Sequence, residues 1–226
     1  MKKSKNMPCS KKSLLQIFWF PYDVIEAFKK DPALHGKTFG FLEIILYQGL
    51  WAIFFHRISH LLYSIKIPFI PRLISQITRF FTGIEIHPGA FIDQGFFIDH
   101  GMGVVIGETA CIGKNVLMYH EVTLGGSSLE AKKRHPTIGD NVLIGAGAKI
   151  FGPINIGPNT QIGGGAVLTK DVPDNCTVVG NPGRIIRRNG KKVVTQEVNQ
   201  IDLPDPLWER VKKLEKALDS YDTPDL

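Results

Sequence analysis

The chain has 226 residues, 43% of them hydrophobic and 21% charged, which is ordinary for a soluble globular protein and enough for one sizeable core. Its net charge of +6 does not point to nucleic acid, because residues 1–12 hold five lysines and no acid, leaving only +1 for the rest. A second basic run, RIIRRNGKK at 184–192, suits an anionic ligand or a solvated face, and neither run has the stacking aromatics of a nucleic-acid module.

Residues 1–12 read as a basic, disordered tail. LLQIFWF at 14–20 follows lysines, but Pro21-Tyr22-Asp23 comes next and no small-residue cleavage site does, so export is not expected. Cys9, Cys111 and Cys176 are odd in number and far apart; no disulfide framework or zinc spacing is visible, and a reducing cytoplasm is the simplest setting.

Apolar clusters predict helices at roughly 13–30, 40–65 and 70–81, with Asp31-Pro32 as a helix end. The stretch at 41–62 is strongly apolar, yet Glu43, Gln48, His56 and Arg57 interrupt it. A helix buried between neighbours or subunits is expected rather than a membrane span. The helical region is set at 13–83.

After Gly83 the period becomes six. Ile86, Ile92 and Ile98 form one run; Ile106, Ile112, Met118 and Leu124 a second; Ile138, Ile144, Ile150, Ile156, Ile162 and Leu168 a third. Small or apolar residues follow four positions later, among them Ala110, Val116, Val142 and Ala148. Helices repeat every 3.6 residues and simple strands every two, so short strands with a corner every six residues are required. That is the pattern of a β-helix solenoid, here placed at 84–186, followed by an extension at 187–226.

Two breaks in the period carry histidine beside charge. The step from Ile98 to Ile106 is two residues too long and holds Asp99-His100; the step from Leu124 to Ile138 leaves an excursion, GGSSLEAKKRHPT, with Arg134-His135. Loops thrown outward from a rigid scaffold are where chemistry is usually placed. Glu85 lies fifteen residues before His100, a spacing that could bring them together across stacked coils. A carboxylate on one imidazole nitrogen would leave the other as a general base toward a hydroxyl. Arg134 suits a carboxylate and Asp99 an ammonium, so the set describes a pocket for a small hydroxy amino acid. His87, His100, His120 and His135 could in principle bind zinc, but their spacings do not settle it and no metal is expected. The glycine-rich stretches lack a phosphate-loop lysine and better suit a long ligand lying on backbone amides.

The stretches DPAL, IEIHPGA, IDHGMGVVIGETA, VTLGG, KKRHPTIGDNVLIGAGAKIFGPINIG and VVGNPGRII, spread over residues 31–186, resemble the serine acetyltransferases. The resemblance implies a left-handed parallel β-helix with an N-terminal α-helical region, and acetyl transfer from acetyl-CoA to L-serine, the first step of cysteine biosynthesis. It implies His100 as base with Glu85 as partner, where family members often carry aspartate. Asp31, Asp99, Arg134 and His135 would line the serine site. Gly126 and the backbone at Ala146 and Gly164 would lie along CoA or the reacting thioester. Acetyl-CoA would be a co-substrate and no cofactor resident. A homotrimer rather than a hexamer is implied, with His100 of one chain facing Arg134 of the next. The family's C-terminal tail often binds O-acetylserine sulfhydrylase. Here the tail ends in Leu226 rather than isoleucine, after helical spacing at Leu207, Val211, Leu214 and Leu218. The alternatives are an acyltransferase for homoserine or a sugar, and a non-catalytic trimeric scaffold.

Overall fold

The computed structural model describes residues 16–34 and 40–193. A 3₁₀ turn at Gln16–Trp19 leads into α1 (Phe20–Lys30), which ends at Asp31. The helix expected over 40–65 is broken: α2 (Gly40–Glu43) and a 3₁₀ turn (Ile44–Leu46) stop at Tyr47, which is extended and starts α3 (Gln48–Ser64). After Pro68, α4 (Ile70–Thr82) closes on Gly83, whose left-handed φ of 70° lets its N–H reach Arg79 O at 2.8 Å.

From Glu85 onward the chain turns through three short strands per coil. One face stacks β1 (Glu85–Ile86), β4 (Val105–Ile106), β7 (Thr123–Gly125), β10 (Lys149–Phe151) and β13 (Val167–Leu168). The second stacks β2 (Phe91–Ile92), β5 (Cys111–Ile112), β8 (Thr137–Ile138) and β11 (Asn155–Ile156). The third stacks β3 (Phe97–Ile98), β6 (Leu117–Met118), β9 (Leu143–Ile144), β12 (Gln161–Ile162) and β14 (Cys176–Val179). All these pairings are parallel.

The register explains the period. Ile86, Ile106, Leu124, Ile150 and Leu168 stand in one column, and Ile98, Met118, Ile144, Ile162 and Val178 in another. Each is buried, and burying such a side chain is worth about 1.5–3 kcal/mol relative to leaving it exposed. The corner between the second and third faces repeats a left-handed residue three positions after each aliphatic: Asn115, Asn141, Asn159 and Asn175, with φ of 55–57°. Their side-chain amides form a ladder, each Nδ2 donating to the next Oδ1 at 3.1–3.3 Å. Asparagine tolerates this conformation better than other side chains do.

The helices and the coils form one compact unit ending at Lys192. A Cβ on Gly49 would lie 2.2 Å from Ile98 O, so only glycine lets α3 approach β3 this closely. α4 is inverted: it buries Ser75, Thr78 and Thr82 and exposes Leu73, Ile77, Phe80 and Phe81. Among the described residues, no helix is long and apolar enough to cross a membrane.

The basic run at 184–192 forms a hairpin, β15 (Arg184–Arg188) and β16 (Lys191–Lys192), turned by left-handed Asn189-Gly190. The sheet therefore runs past residue 186. Cys176 is a buried thiol whose pKa is pushed upward, chiefly by that burial. The basic tail and the proposed C-terminal helix and partner-binding tail lie outside the described residues.

Candidate active site

The two-residue insertion between β3 and β4 forms a tight outward turn at the corner joining the third and first faces. His100, Gly101 and Gly103 all have positive φ, and His100 at 61° is an uncommon conformation for a non-glycine residue. The turn is pinned by Asp99 N to Met118 O at 2.9 Å, Gly101 N to Asp99 O at 2.7 Å and Gly103 N to Gly83 O at 3.0 Å. A Cβ on Gly101 would strike Ile84, so the turn cannot relax inward. The result presents the His100 side chain outward, 74% exposed, with Nε2 3.9 Å from Asp99 Oδ1. One coil higher, the His120 ring stands edge-on to it at 5.9 Å, and its Nδ1 is buried without a hydrogen-bond partner among the described residues.

The same corner continues upward. Gly147 N donates to His120 O and Gly165 N to Ala146 O, so His100, His120, Ala146 and Gly164 follow one edge of the solenoid. Among the described residues, the amides of Ala146 and Gly164 have no acceptor. Asp31, at the end of α1, accepts the Ala33 amide on Oδ1 and the Tyr47 hydroxyl on Oδ2.

The second break lies at a different corner, between the first and second faces, where Thr109 fastens it. Its Oγ1 accepts from both the Arg134 and His135 amides at 3.1 Å. The Thr109 amide in turn donates to His135 Nδ1 at 3.2 Å, which places the ring proton on Nε2. His135 is 7% exposed; burial, then the Arg134 and Lys133 charges, hold its pKa below the usual range and keep it neutral. A Cβ on Gly107 would fall 2.0 Å from the His135 ring, so glycine is required there. Arg134 donates to Glu108 Oε2 at 2.8 Å, and Gly126 packs against Arg134 and His135.

Within one chain, then, Asp99 and His100 stand at one corner and Gly126, Arg134 and His135 at another, separated by the width of the first face, while Asp31 is held by Ala33 and Tyr47 of the helical region. The expected pairing of Glu85 with His100 is not made. Glu85 Oε1 accepts from Arg72 at 3.0 Å and Oε2 from Arg79 at 3.1 Å, because α4 runs beside β1 and supplies two guanidinium groups. Among the described residues, no group of three or more histidine, cysteine, aspartate or glutamate side chains is placed to hold a metal ion.

Comparison with known proteins gives this geometry a family. Residues 135–170 match the bacterial transferase hexapeptide (six repeats) family. The serine acetyltransferase of Bacillus subtilis is 55% identical over 197 residues, covering 87% of this chain and 88% of the relative. The chain belongs to the serine acetyltransferase family.

Solved serine acetyltransferases agree. That of Neisseria gonorrhoeae superposes with a TM-score of 0.73 at 40% identity, covering 79% of this chain and 69% of that one. The soybean serine acetyltransferase complexed with serine gives 0.71 at 40%, covering 79% and 71%. The fold is accordingly the left-handed parallel β-helix of hexapeptide repeats, with an N-terminal helical region. The sequence pattern did not mark His120 as a neighbour of His100, although each stands two residues after stacked partners, Ile98 and Met118. It also missed Thr109 and Glu108, which no period marks.

Proposed function

We propose that the protein transfers the acetyl group of acetyl-CoA to the hydroxyl of L-serine, with His100 as the general base. An imidazole nitrogen takes the proton as serine Oγ bonds to the thioester carbonyl carbon. The oxyanion then collapses, the C–S bond breaks, and CoA leaves as a thiol carrying the proton held by the imidazolium. General-base catalysis of this kind contributes about 10²–10⁴ in rate. The observation that carries the reading is the corner turn that strains His100 into the open beside Asp99, at the foot of an edge whose Ala146 and Gly164 amides have no acceptor among the described residues. Those amides suit the pantetheine arm or thioester of acetyl-CoA, which is a co-substrate.

Asp99 and Asp31 are assigned to the serine ammonium, Arg134 to its carboxylate with His135 lining that end, and Gly126 to the side of CoA or the reacting thioester. Since Asp99 and Arg134 occupy two corners, the complete site is proposed to form between neighbouring chains of a homotrimer. The exposed Leu73, Ile77, Phe80 and Phe81 on α4 favour association of chains. Glu85 is retained as the orienting partner of His100; taking that role requires it to release one arginine. Binding of O-acetylserine sulfhydrylase by the residues after 193, and a cytoplasmic setting, are further parts of this proposal.

The test is a CoA-release assay on purified protein with acetyl-CoA and L-serine, L-homoserine or a galactoside. Turnover is expected with L-serine, and activity confined to the sugar overturns the acceptor assignment. His100→Ala should abolish turnover while acetyl-CoA binding persists.

A further inference from the structure

Tyr47 stands where the helical region meets the candidate site. It breaks the expected helix over 40–65, caps α3 with an extended backbone, and lays its ring 6.2 Å from that of Phe97 on β3. Ala27, Leu34, Ile44 and Leu50 complete the apolar cluster that fixes the ring. A phenol held this firmly has one direction for its hydroxyl, and that direction is Asp31 Oδ2. The other oxygen of Asp31 is taken by the Ala33 amide at 2.8 Å, so the carboxylate is gripped at both ends. Burial first, then the hydrogen bond to Asp31 and the charges of Asp31, Asp99 and Glu43, push the Tyr47 hydroxyl pKa upward, in keeping with a donor. Among the described residues, neither Asp31 nor Asp99 has a lysine or arginine within ion-pair distance, and Lys30 instead reaches Gly95 O at 2.9 Å.

We infer that Tyr47 is a positioning residue for the amino-acid acceptor: its hydroxyl fixes the Asp31 carboxylate, one of the two carboxylates assigned above to the acceptor's ammonium group. The inference rests on the acyl-transfer reading above and adds to it the residue that sets acceptor affinity. Tyr47 touches neither reacting atom. Its effect passes through Asp31, and a hydrogen bond to a charged group is strong enough for that effect to be measurable.

The experiment is a double-mutant cycle on the full chain, reading KM for L-serine, KM for acetyl-CoA and kcat. Tyr47→Phe is expected to raise the serine KM roughly tenfold or more while acetyl-CoA KM and kcat stay within about twofold. In an Asp31→Asn background the same substitution should change the serine KM less than about twofold, because the group it acts through is already neutral. A packing role would lower the urea midpoint and act equally in both backgrounds; that additivity, or an unchanged serine KM, overturns the inference. A wild-type protein without serine turnover overturns it together with the reading it rests on. An active wild type with an indifferent Tyr47→Phe overturns it alone.

Discussion

Arg57 on α3 and Asp23 on α1 pair at 2.9 Å with both side chains wholly shielded from water. The guanidinium also donates to the Ile92 and Asp93 carbonyls at 2.6 and 3.0 Å, and Asp23 Oδ1 accepts the Gly95 amide at 2.7 Å. One ion pair therefore ties two helices to the first coil, the coil that sets the His100 turn. Breaking such a pair from one side strands a buried charge, which typically costs about 3–5 kcal/mol. Arg57→Ala should destabilise the protein by that order in urea unfolding, and joint replacement Arg57→Met with Asp23→Leu should cost much less.

Thr109 is the anchor for the loop that carries Arg134. Replacing it with valine keeps the shape but leaves the Arg134 and His135 amides without their acceptor, a loss of about 1–3 kcal/mol for each group left buried and unpaired. Steady-state kinetics on Thr109→Val should show a serine KM raised at least about fivefold, with the acetyl-CoA KM nearly unchanged. Equal increases in both constants would mean that the loop does not act on serine alone.

Glu85 supplies a direct comparison of two roles. With both oxygens on Arg72 and Arg79, it could serve only to fasten α4 to β1. As partner of the base, it must matter in turnover. Glu85→Gln is expected to lower kcat by about tenfold or more, within the range for acid–base machinery, while Arg72→Ala with Arg79→Ala leaves kcat within about threefold. A Glu85→Gln protein with full kcat and a lowered urea midpoint would assign Glu85 to fastening alone.

Acid should weaken the joint between α3 and the first coil. His56 is fully buried, and burial first, followed by His60, Arg57 and His87, drives its pKa well below 6.5. The Ala90 backbone favours the charged ring slightly, yet among the described residues neither ring nitrogen has a partner of hydrogen-bond geometry. His60 and His87 are also lowered, chiefly by burial. For a base with a depressed folded pKa, the unfolded chain binds the proton first. Stability is therefore full above about pH 6.5 and falls as pH drops below it, by up to about 1.4 kcal/mol per pH unit for each ring. Urea midpoints between pH 7.5 and 5 should fall, and His56→Leu should flatten the slope. A slope unchanged by that substitution would place the acid sensitivity elsewhere.

The solenoid was legible because one aliphatic per six residues must stack into a column, so burial prints its period directly on the chain. The breaks at Asp99-His100 and Arg134-His135 were legible for the same reason, as departures from that period. The rest depends on contacts that no period records. Tyr47 divides a continuous apolar stretch because its ring belongs to the Phe97 cluster, and local helix pattern says nothing of that. Arg72 and Arg79 capture Glu85 only once α4 lies against β1. Thr109 looks like any turn threonine until the excursion folds back upon it.

The central claim is that the base and the carboxylate clamp come from adjoining subunits, and mixed oligomers test it most directly. His100→Ala and Arg134→Ala chains, differently tagged and co-expressed, should each be inactive at low serine when alone. Purified mixed trimers should regain serine-dependent CoA release, since each contains one junction with an intact imidazole on one side and an intact guanidinium on the other. Mixed assemblies of verified composition that release no more CoA than the parent variants would contradict the account.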